Sequence, residues 1–303
     1  MKATKLNLEL FVANCTNWLK DYATKAGREQ YVIGISGGVD SAVASTLCAR
    51  TGLPLLVIEM PIHQGADQVT RARNHIDWLK KNYPNVLSIE VELTGVFDSI
   101  CTAFDKGQAQ IEGALDKEAS NLGKVNSRAR LRMTTLYHFA AATNGLVCGT
   151  GNKVEDFGIG FFSLGGDGQV DLSPLADINK TEVWQVAAQL GINQEIIDAK
   201  PTDGLWGDAR SDEDQIGASY PELEWAMEFY ENNIVPRGEG VANSSINTIV
   251  SFVAKQETEN VERKQEVMRI FLTRNRANKH KMDAIPVFSS ASCRESAYST
   301  ATA

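Results

Sequence analysis

Residues 31–50, YVIGISGGVDSAVASTLCAR, constrain the fold more than any other part of this sequence. A run of β-branched residues enters a loop that contains Gly34, Gly37 and Gly38, and an alanine-rich segment follows. This order predicts a strand, a tight loop and a helix. Glycines at such a junction let backbone N–H groups turn inward towards a phosphate, because no Cβ is in the way. The same order can instead present a serine as a nucleophile, so the loop decides between two kinds of chemistry.

The rest of the chain alternates apolar strands with amphipathic helices. Apolar runs predict strands at residues 31–36, 53–59, 86–91 and 146–149. Helical spacing of apolar residues predicts helices around residues 8–22, 69–79, 127–143 and 183–190, with Gly27 and Gly191 ending the first and the last. This alternation predicts an α/β fold, a doubly wound parallel sheet with helices on both faces, and a helical C-terminal part beyond about residue 202. Ligands of such sheets bind beyond the carboxyl ends of the strands.

Charge and cysteine content narrow the class of protein. The formal net charge of −8 disfavours binding to nucleic acid or to acidic membranes. The five cysteines form no CxxC pair, which argues against zinc and indicates a reduced, cytoplasmic setting. We find no signal peptide and no apolar run of membrane-spanning length. We expect a single α/β domain over residues 1–288 and a polar tail over residues 289–303.

The glycine loop has three possible interpretations, and they differ in how many of its residues each one explains. A Walker A loop is rejected because no lysine follows the second glycine. The pattern Gly34, Ser36, Gly38 also fits the GxSxG nucleophile elbow of serine hydrolases, with His280 as an available base, but it leaves Asp40 and Ser41 unexplained. A pyrophosphate nest uses every residue: the glycines and serines supply donors, and Asp40 holds a Mg²⁺ ion that bridges phosphates.

The segment resembles the SGGxDS loop of N-type ATP pyrophosphatases, which cleave ATP between its α- and β-phosphates and form an adenylate. The loop is shared by several amidotransferases and ligases of that superfamily, so another member stays an alternative at this point. Further motifs follow in order: RARLRM (128–133), GTGNKVED (149–156), GFF (160–162), GDGQVDLSPLADINK (166–180), KPTDGLW (200–206), SDEDQIGASYPELE (211–224) and KHK (279–281). The ordered set, over about residues 34–281, resembles the NAD⁺ synthetases.

That resemblance implies an adenine nucleotide alpha hydrolase-like fold and a homodimer. It implies a reaction in which ATP adenylates the nicotinate carboxylate of deamido-NAD and ammonia then forms the amide, releasing AMP and pyrophosphate. The catalytic residues it implies are Asp40, Glu155 and Lys180, and the Mg²⁺ ligands are Asp40 and Glu155. The implied ATP-binding residues are Gly34, Ile35, Ser36, Gly37, Gly38, Val39, Asp40, Ser41, Thr150, Lys180 and Thr202. The implied deamido-NAD-binding residues are Arg130, Leu164, Asp171, His280 and Lys281.

The chain departs from the family pattern in two places. Leu164 stands where relatives place a lysine that contacts the substrate. One additional residue separates Glu155 from the GFF motif, which leaves open whether Glu155 or Asp156 is the second metal ligand. Simpler roles compete for some of these residues on sequence alone: Asp40 as an acid at a helix N-terminus, and Lys180, His280 or Arg130 as solvated side chains.

The nitrogen source is expected to be free ammonia. Glutamine-using relatives carry an amidase domain ahead of the synthetase, whereas about 33 residues precede the loop here. A separate glutaminase subunit stays open. Outside this class, the alternatives are the GxSxG serine hydrolase and a module that binds adenine nucleotides without catalysis.

Overall fold

The protein is built on one parallel sheet. The computed structural model describes residues 5–111, 113, 115–202 and 210–290. Within these residues, four strands lie in the order β3-β2-β1-β4: β1 (Gln30–Gly34), β2 (Leu55–Glu59), β3 (Val86–Glu90) and β4 (Gly145–Val147). Val32 pairs in register with Leu56 on one side and with Val147 on the other. The four predicted strands are confirmed, with some ends shifted by one or two residues.

Helices connect the strands and follow them. They are α1 (Leu8–Lys25), α2 (Val39–Arg50), α3 (Ala66–Asn82), α4 (Thr94–Gln108), α5 (Lys117–Ala142), α6 (Lys180–Gln189), α7 (Gln194–Ile197), α8 (Asp212–Ile216), α9 (Tyr220–Asn233), α10 (Glu239–Ala242), α11 (Ile246–Gln256) and α12 (Val261–Met282). Two short 3₁₀ turns (Ala109–Ile111 and Val235–Arg237) and a π-helix (Lys153–Ile159) complete the set. Gly27 and Gly191 follow α1 and α6 with φ of +64° and +71°, as predicted.

The start of α5 corrects a prediction. We expected this helix to begin near residue 127, where its apolar periodicity begins. It begins at Lys117, because the Asp116 side chain accepts a hydrogen bond of 2.8 Å from the Ala119 N–H and caps the helix. The first turns of α5 are exposed and polar, so they carry no hydrophobic signal of their own.

Alternate residues of each strand face opposite layers, as the period of a strand requires. Tyr31 and Ile33 of β1 belong to a core with α1, α2, α3 and α6, whereas Val32 belongs to a core with α4 and α5. The sheet is therefore covered on both faces, which confirms the predicted doubly wound α/β class. The central strands β1 and β2 are thereby removed from water on both sides, whereas the edge strand β3 stays partly exposed, and burial of this apolar surface is the main stabilising term.

The predicted helical C-terminal part is confirmed as a third apolar cluster. Tyr220, Phe271 and other residues of α8 to α12 pack there against the π-helix, and Trp184 of α6 joins this cluster to the core beneath the sheet. Of the described helices, none is long and apolar enough to cross a membrane. The predicted tail lies outside the described residues beyond residue 290.

Candidate active site

The glycine loop lies between β1 and α2 and has the shape of a pyrophosphate nest. Gly37 has φ of +83°, and a Cβ there would lie 2.5 Å from the Gln68 carbonyl oxygen, so only glycine fits this turn. The Ser36 hydroxyl accepts from the Gly38 N–H at 3.2 Å. The Ser41 hydroxyl donates to the Gly38 carbonyl at 2.9 Å, which fixes the turn from beneath.

The N-terminus of α2 faces the same loop. Gly38 is its N-cap and supplies no side-chain acceptor, so the first N–H groups of the helix keep their donor capacity. The helix dipole adds partial positive charge at this end. Backbone donors and dipole together favour an anion such as a phosphate at this point.

Lys180 brings the predicted catalytic residues together beside the loop. Its Nζ lies 2.6 Å from Asp40 Oδ2 and 2.8 Å from Glu155 Oε1, although the three residues are far apart in sequence. The Lys180 side chain is 4% exposed, and it extends from the first residue of α6. Asn152 Nδ2 donates to the second oxygen of Asp40 at 3.0 Å. The contacts place a cation between two carboxylates next to the phosphate nest.

The charges of Lys180, Asp40 and Glu155 act on one another at short distances in a site with little access to water. Burial alone would lower the pKa of Lys180, but Asp40 and Glu155 outweigh that effect, so the pKa of Lys180 is raised and the ammonium form is held. Burial raises the pKa of Glu155 and the Asp40 charge adds to the rise, while Lys180 opposes it. The Lys180 ammonium group therefore counteracts the rise in the pKa of Glu155 that burial produces.

The segment before the GFF motif, where we expected one additional residue, forms a π-helix. Residues 153–159 wind with the wider π geometry, which absorbs one extra residue in a helical turn and occurs frequently at functional sites. The turn directs Glu155 towards Lys180, whereas Asp156 lies against Gly151, where a Cβ would come 1.9 Å from its Oδ2. Burial raises the pKa of Asp156 well above its usual range, and the Glu155 charge raises it further.

A cavity of about 280 Å³ opens over the carboxyl ends of the strands. Its lining includes the predicted ATP-binding residues Gly34, Ile35, Ser36, Gly37, Gly38, Val39, Asp40, Thr150, Lys180 and Thr202, together with Glu155. Ser41 is buried under the loop and holds it in place. Residues 203–206 of the predicted KPTDGLW motif lie outside the described residues, since residues 203–209 are not described.

The predicted deamido-NAD residues are more scattered. Arg130 Nε donates to the Leu164 carbonyl at 3.1 Å, which joins two of them. Lys281 Nζ donates to the Gly160 and Phe162 carbonyls at 2.5 and 2.7 Å, on the segment that leads to Leu164. Asp171 accepts from the Val147 N–H of β4 at 2.7 Å. His280 is exposed at the end of α12.

Sequence reasoning missed several residues of the site. Tyr220 lies with its ring 4.9 Å from Lys180 Nζ, and its hydroxyl donates to Asp212 Oδ2 at 2.8 Å. Asp212 lies in the SDEDQIG motif, to which the sequence analysis assigned no role. Membership of that motif was the only indication in the sequence that Asp212 belongs to the site. Arg71 of α3 also lines the cavity, and no motif contains it.

Ser36 does not have the surroundings of a catalytic nucleophile. Its hydroxyl contacts Ser41 Oγ at 3.1 Å and the Gly38 N–H, and no described histidine bonds to it. Ser36 is also absent from the described non-glycine residues with positive φ, which are His63, Asn144 and Asn260. A nucleophile elbow needs a strained serine beside a histidine. The serine hydrolase interpretation has no support in this geometry.

Comparison with known proteins gives the same family as the resemblance in the sequence. The family model for NAD synthase matches residues 11–266. A protein named NH(3)-dependent NAD(+) synthetase from Carboxydothermus hydrogenoformans is 33% identical over 263 residues, which covers 86% of this chain and 97% of the relative. One of the same name from Pyrococcus furiosus is 36% identical over 228 residues, covering 74% and 80%.

Solved structures give the same picture. An NMN synthetase from Francisella tularensis superposes with a TM-score of 0.71 at 25% identity, covering 93% of this chain and 99% of the other. An NH3-dependent NAD synthetase from Campylobacter jejuni superposes with a TM-score of 0.67 at 19% identity, covering 94% and 100%, and shows likeness of fold.

Proposed function

This chain belongs to the NAD synthase family, and from that premise we propose how its site makes NAD⁺ from deamido-NAD, ATP and ammonia. It is an ammonia-dependent NAD⁺ synthetase, a ligase that forms a C–N bond and uses ATP as a substrate. The observation that carries the mechanism is the contact of Lys180 with Asp40 and Glu155 beside the phosphate nest.

The reaction needs no nucleophile from the protein. An oxygen of the nicotinate carboxylate attacks the α-phosphorus of ATP, and the bond between the α-phosphorus and the bridging oxygen breaks. The electron pair leaves on pyrophosphate, and ammonia then displaces AMP from the acyl adenylate. The protein contributes position and charge: backbone N–H groups in the first turn of α2 hold phosphate oxygens, and Lys180 neutralises charge beside them.

Asp40 and Glu155 would hold Mg²⁺. Mg²⁺ is usually bound by one or two carboxylates together with substrate phosphates, and two carboxylates beside a phosphate nest fit that requirement. The described residues contain no group of three or more His, Cys, Asp or Glu suited to a metal, so phosphate and water would complete the shell. When bound, the ion would supply positive charge that offsets the negative charge of the phosphates. Glu155 is the better second ligand than Asp156, because it faces Asp40 across Lys180.

The binding site for deamido-NAD is proposed around the segment that runs from Gly160 to Asp171. Arg130 and Lys281 both donate to backbone carbonyls of its first part, so they can present charge near an anionic dinucleotide. Leu164 is 53% exposed and offers neither donor nor charge there. His280 stays a predicted contact, and it is exposed near the end of α12.

Product analysis tests this function. The purified chain is incubated with ATP, Mg²⁺, deamido-NAD and ammonium, and NAD⁺, AMP and pyrophosphate should form in equal amounts. Stoichiometric ADP would contradict adenylation, and comparable turnover with glutamine alone would contradict the use of free ammonia. Ser36→Ala should lower turnover without abolishing it, and a serine-directed phosphonate should not label the wild-type chain.

A second arm replaces deamido-NAD with nicotinate mononucleotide. The likeness to an NMN synthetase and the leucine at position 164 make this the relevant competing substrate. A kcat/KM for nicotinate mononucleotide above that for deamido-NAD would reassign the substrate while leaving the chemistry unchanged.

Assembly and location complete the proposal. Exposed apolar side chains follow one another along α4 and the start of α5: Val96, Phe104, Ile111, Leu115 and Leu122. We propose that these side chains contact a second copy in a homodimer, because their burial would remove apolar surface from water. Light scattering should give the mass of a dimer, and Phe104→Glu should give a monomer.

Three of the described cysteines are buried free thiols, namely Cys15, Cys48 and Cys148. This supports a location in the reducing cytoplasm. Packing of α8 to α12 on the π-helix supports one domain over residues 1–288.

A further inference from the structure

The first turns of α3 pack directly against the phosphate loop. A Cβ at Gly37 would meet the Gln68 carbonyl oxygen at 2.5 Å and the Ala72 nitrogen at 3.1 Å, so the helix and the loop touch through their backbones. Arg71 lies on this contact. Its Nε donates to the Gly37 carbonyl at 3.4 Å, and its side chain lines the cavity and is 19% exposed.

The positive charge of Arg71 is only weakly neutralised by its ion-pair partner in the protein. Its Nη1 contacts Asp67 Oδ2 at 3.0 Å, but Asp67 is 71% exposed, and exposed pairs of this kind contribute little. Among the described residues, three other cations line the cavity: Lys200 is exposed, and the remaining two are held more firmly. Lys180 is held by two buried carboxylates, and Arg132 donates to the Met60 carbonyl and to Gln64. Arg71 can therefore give up its contact with Asp67 and bind a phosphate instead, at a small cost in free energy.

We propose that Arg71 binds the β- and γ-phosphates of ATP and stabilises pyrophosphate as it leaves; this rests on the function proposed above. As the carboxylate oxygen bonds to the α-phosphorus and the bridging bond breaks, the electron pair passes to pyrophosphate, whose negative charge grows. No proton moves to or from Arg71. A planar guanidinium can donate two parallel N–H groups to two phosphate oxygens, which suits this position better than a point charge.

The test uses Arg71→Gln, Arg71→Lys and two control variants. Asp67→Asn removes the ion-pair partner of Arg71 but leaves the guanidinium. Lys80→Gln removes an exposed cation from the same helix, away from the cavity. Steady-state kinetics give kcat and the KM for ATP, and calorimetry with inorganic pyrophosphate and Mg²⁺ gives affinity without turnover.

Arg71→Gln should lower kcat about 100-fold, the size seen when one stabilising donor is removed. It should weaken pyrophosphate binding about 10-fold or more, the range of a charge-assisted hydrogen bond. Arg71→Lys should fall between wild type and Arg71→Gln. Asp67→Asn and Lys80→Gln should stay within about 2-fold of wild type, as expected of exposed charges.

Two results would overturn the proposal. One is unchanged pyrophosphate affinity in Arg71→Gln. The other is a fall in kcat and in pyrophosphate affinity in Asp67→Asn as large as the fall in Arg71→Gln. That result would mean that Arg71 only stabilises the shape of the turn. Failure of the wild-type chain to release pyrophosphate from ATP would instead contradict the proposed function, and the calorimetry would still decide whether Arg71 binds the anion.

Discussion

Replacing Lys180 with methionine removes the cation between Asp40 and Glu155 while nearly keeping the length of the side chain. The Lys180 side chain is 4% exposed, and the two carboxylates are 17% and 14% exposed. Removal of one partner from a buried ion pair costs about 3–5 kcal/mol, because the remaining charge is uncompensated. Glu155 can reduce this cost by taking up a proton, since burial and Asp40 already raise its pKa. We therefore expect Lys180→Met to lower the free energy of unfolding by about 3 kcal/mol near pH 8.

The dependence on pH follows from the sign of the Glu155 shift. A carboxyl group whose pKa is raised on folding destabilises the protein when it is ionised, and this penalty disappears as pH falls through the raised pKa. The difference in the free energy of unfolding between wild type and Lys180→Met should therefore become smaller from pH 8 to pH 5. Adding Glu155→Gln to Lys180→Met should recover part of the lost stability at pH 8, because one of the facing charges is gone.

Urea denaturation without nucleotide or Mg²⁺ measures these differences. Lys153→Met is the matched control: it lies in the adjoining π-helix, and its partner Glu231 is 49% exposed at 3.4 Å. Its cost should stay below about 1 kcal/mol. Equal costs for the two variants, or a deficit of Lys180→Met that grows as pH falls, would refute the argument.

Three further predictions concern metal binding, substrate affinity and the core. Asp40→Asn and Glu155→Gln should each lower kcat by about 10²–10³-fold, and Asp156→Asn should do less; steady-state kinetics with the opposite ranking would reassign the second metal ligand. Leu164→Lys should lower the KM for deamido-NAD about fivefold and leave the KM for ATP unchanged, as expected for a uniform contact of about 1 kcal/mol; a large fall in kcat would contradict it. Burial lowers the pKa of His75 from 6.5 to about 4, so the unfolded chain takes up its proton first and stability is lost as pH falls below 6.5. Denaturation should show that His75→Gln removes about 2 kcal/mol of the stability lost between pH 7 and pH 5; an unchanged pH dependence would show that His75 does not titrate this way.

Local sequence was sufficient for the parts of the fold that local chemistry determines. The strand, glycine loop and helix of residues 31–50 and the alternation of apolar strands with helices predicted the sheet and the edge where the cavity lies. The start of α5 was missed because polar, exposed turns carry no periodicity, and one capping aspartate determines where the helix begins.

The contacts across the site needed the folded chain. Lys180 lies 140 residues from Asp40, and only resemblance to a family suggested that they meet. The π-helix before the GFF motif was not predicted, because it depends on the packing of Val154 and Ile159 against α9 and α12. Arg71 was not predicted, because its role depends on where a distant helix contacts the loop.

The most direct test of the account follows the oxygen of the carboxylate. Deamido-NAD labelled with ¹⁸O in the nicotinate carboxylate is converted with ATP, Mg²⁺ and ammonium, and the products are analysed by mass spectrometry. Adenylation joins that oxygen to the α-phosphorus, and its bond to carbon breaks when ammonia forms the amide. The account predicts one ¹⁸O in each AMP and none in pyrophosphate. Unlabelled AMP, or label in any phosphate released from the β- or γ-position, would contradict it.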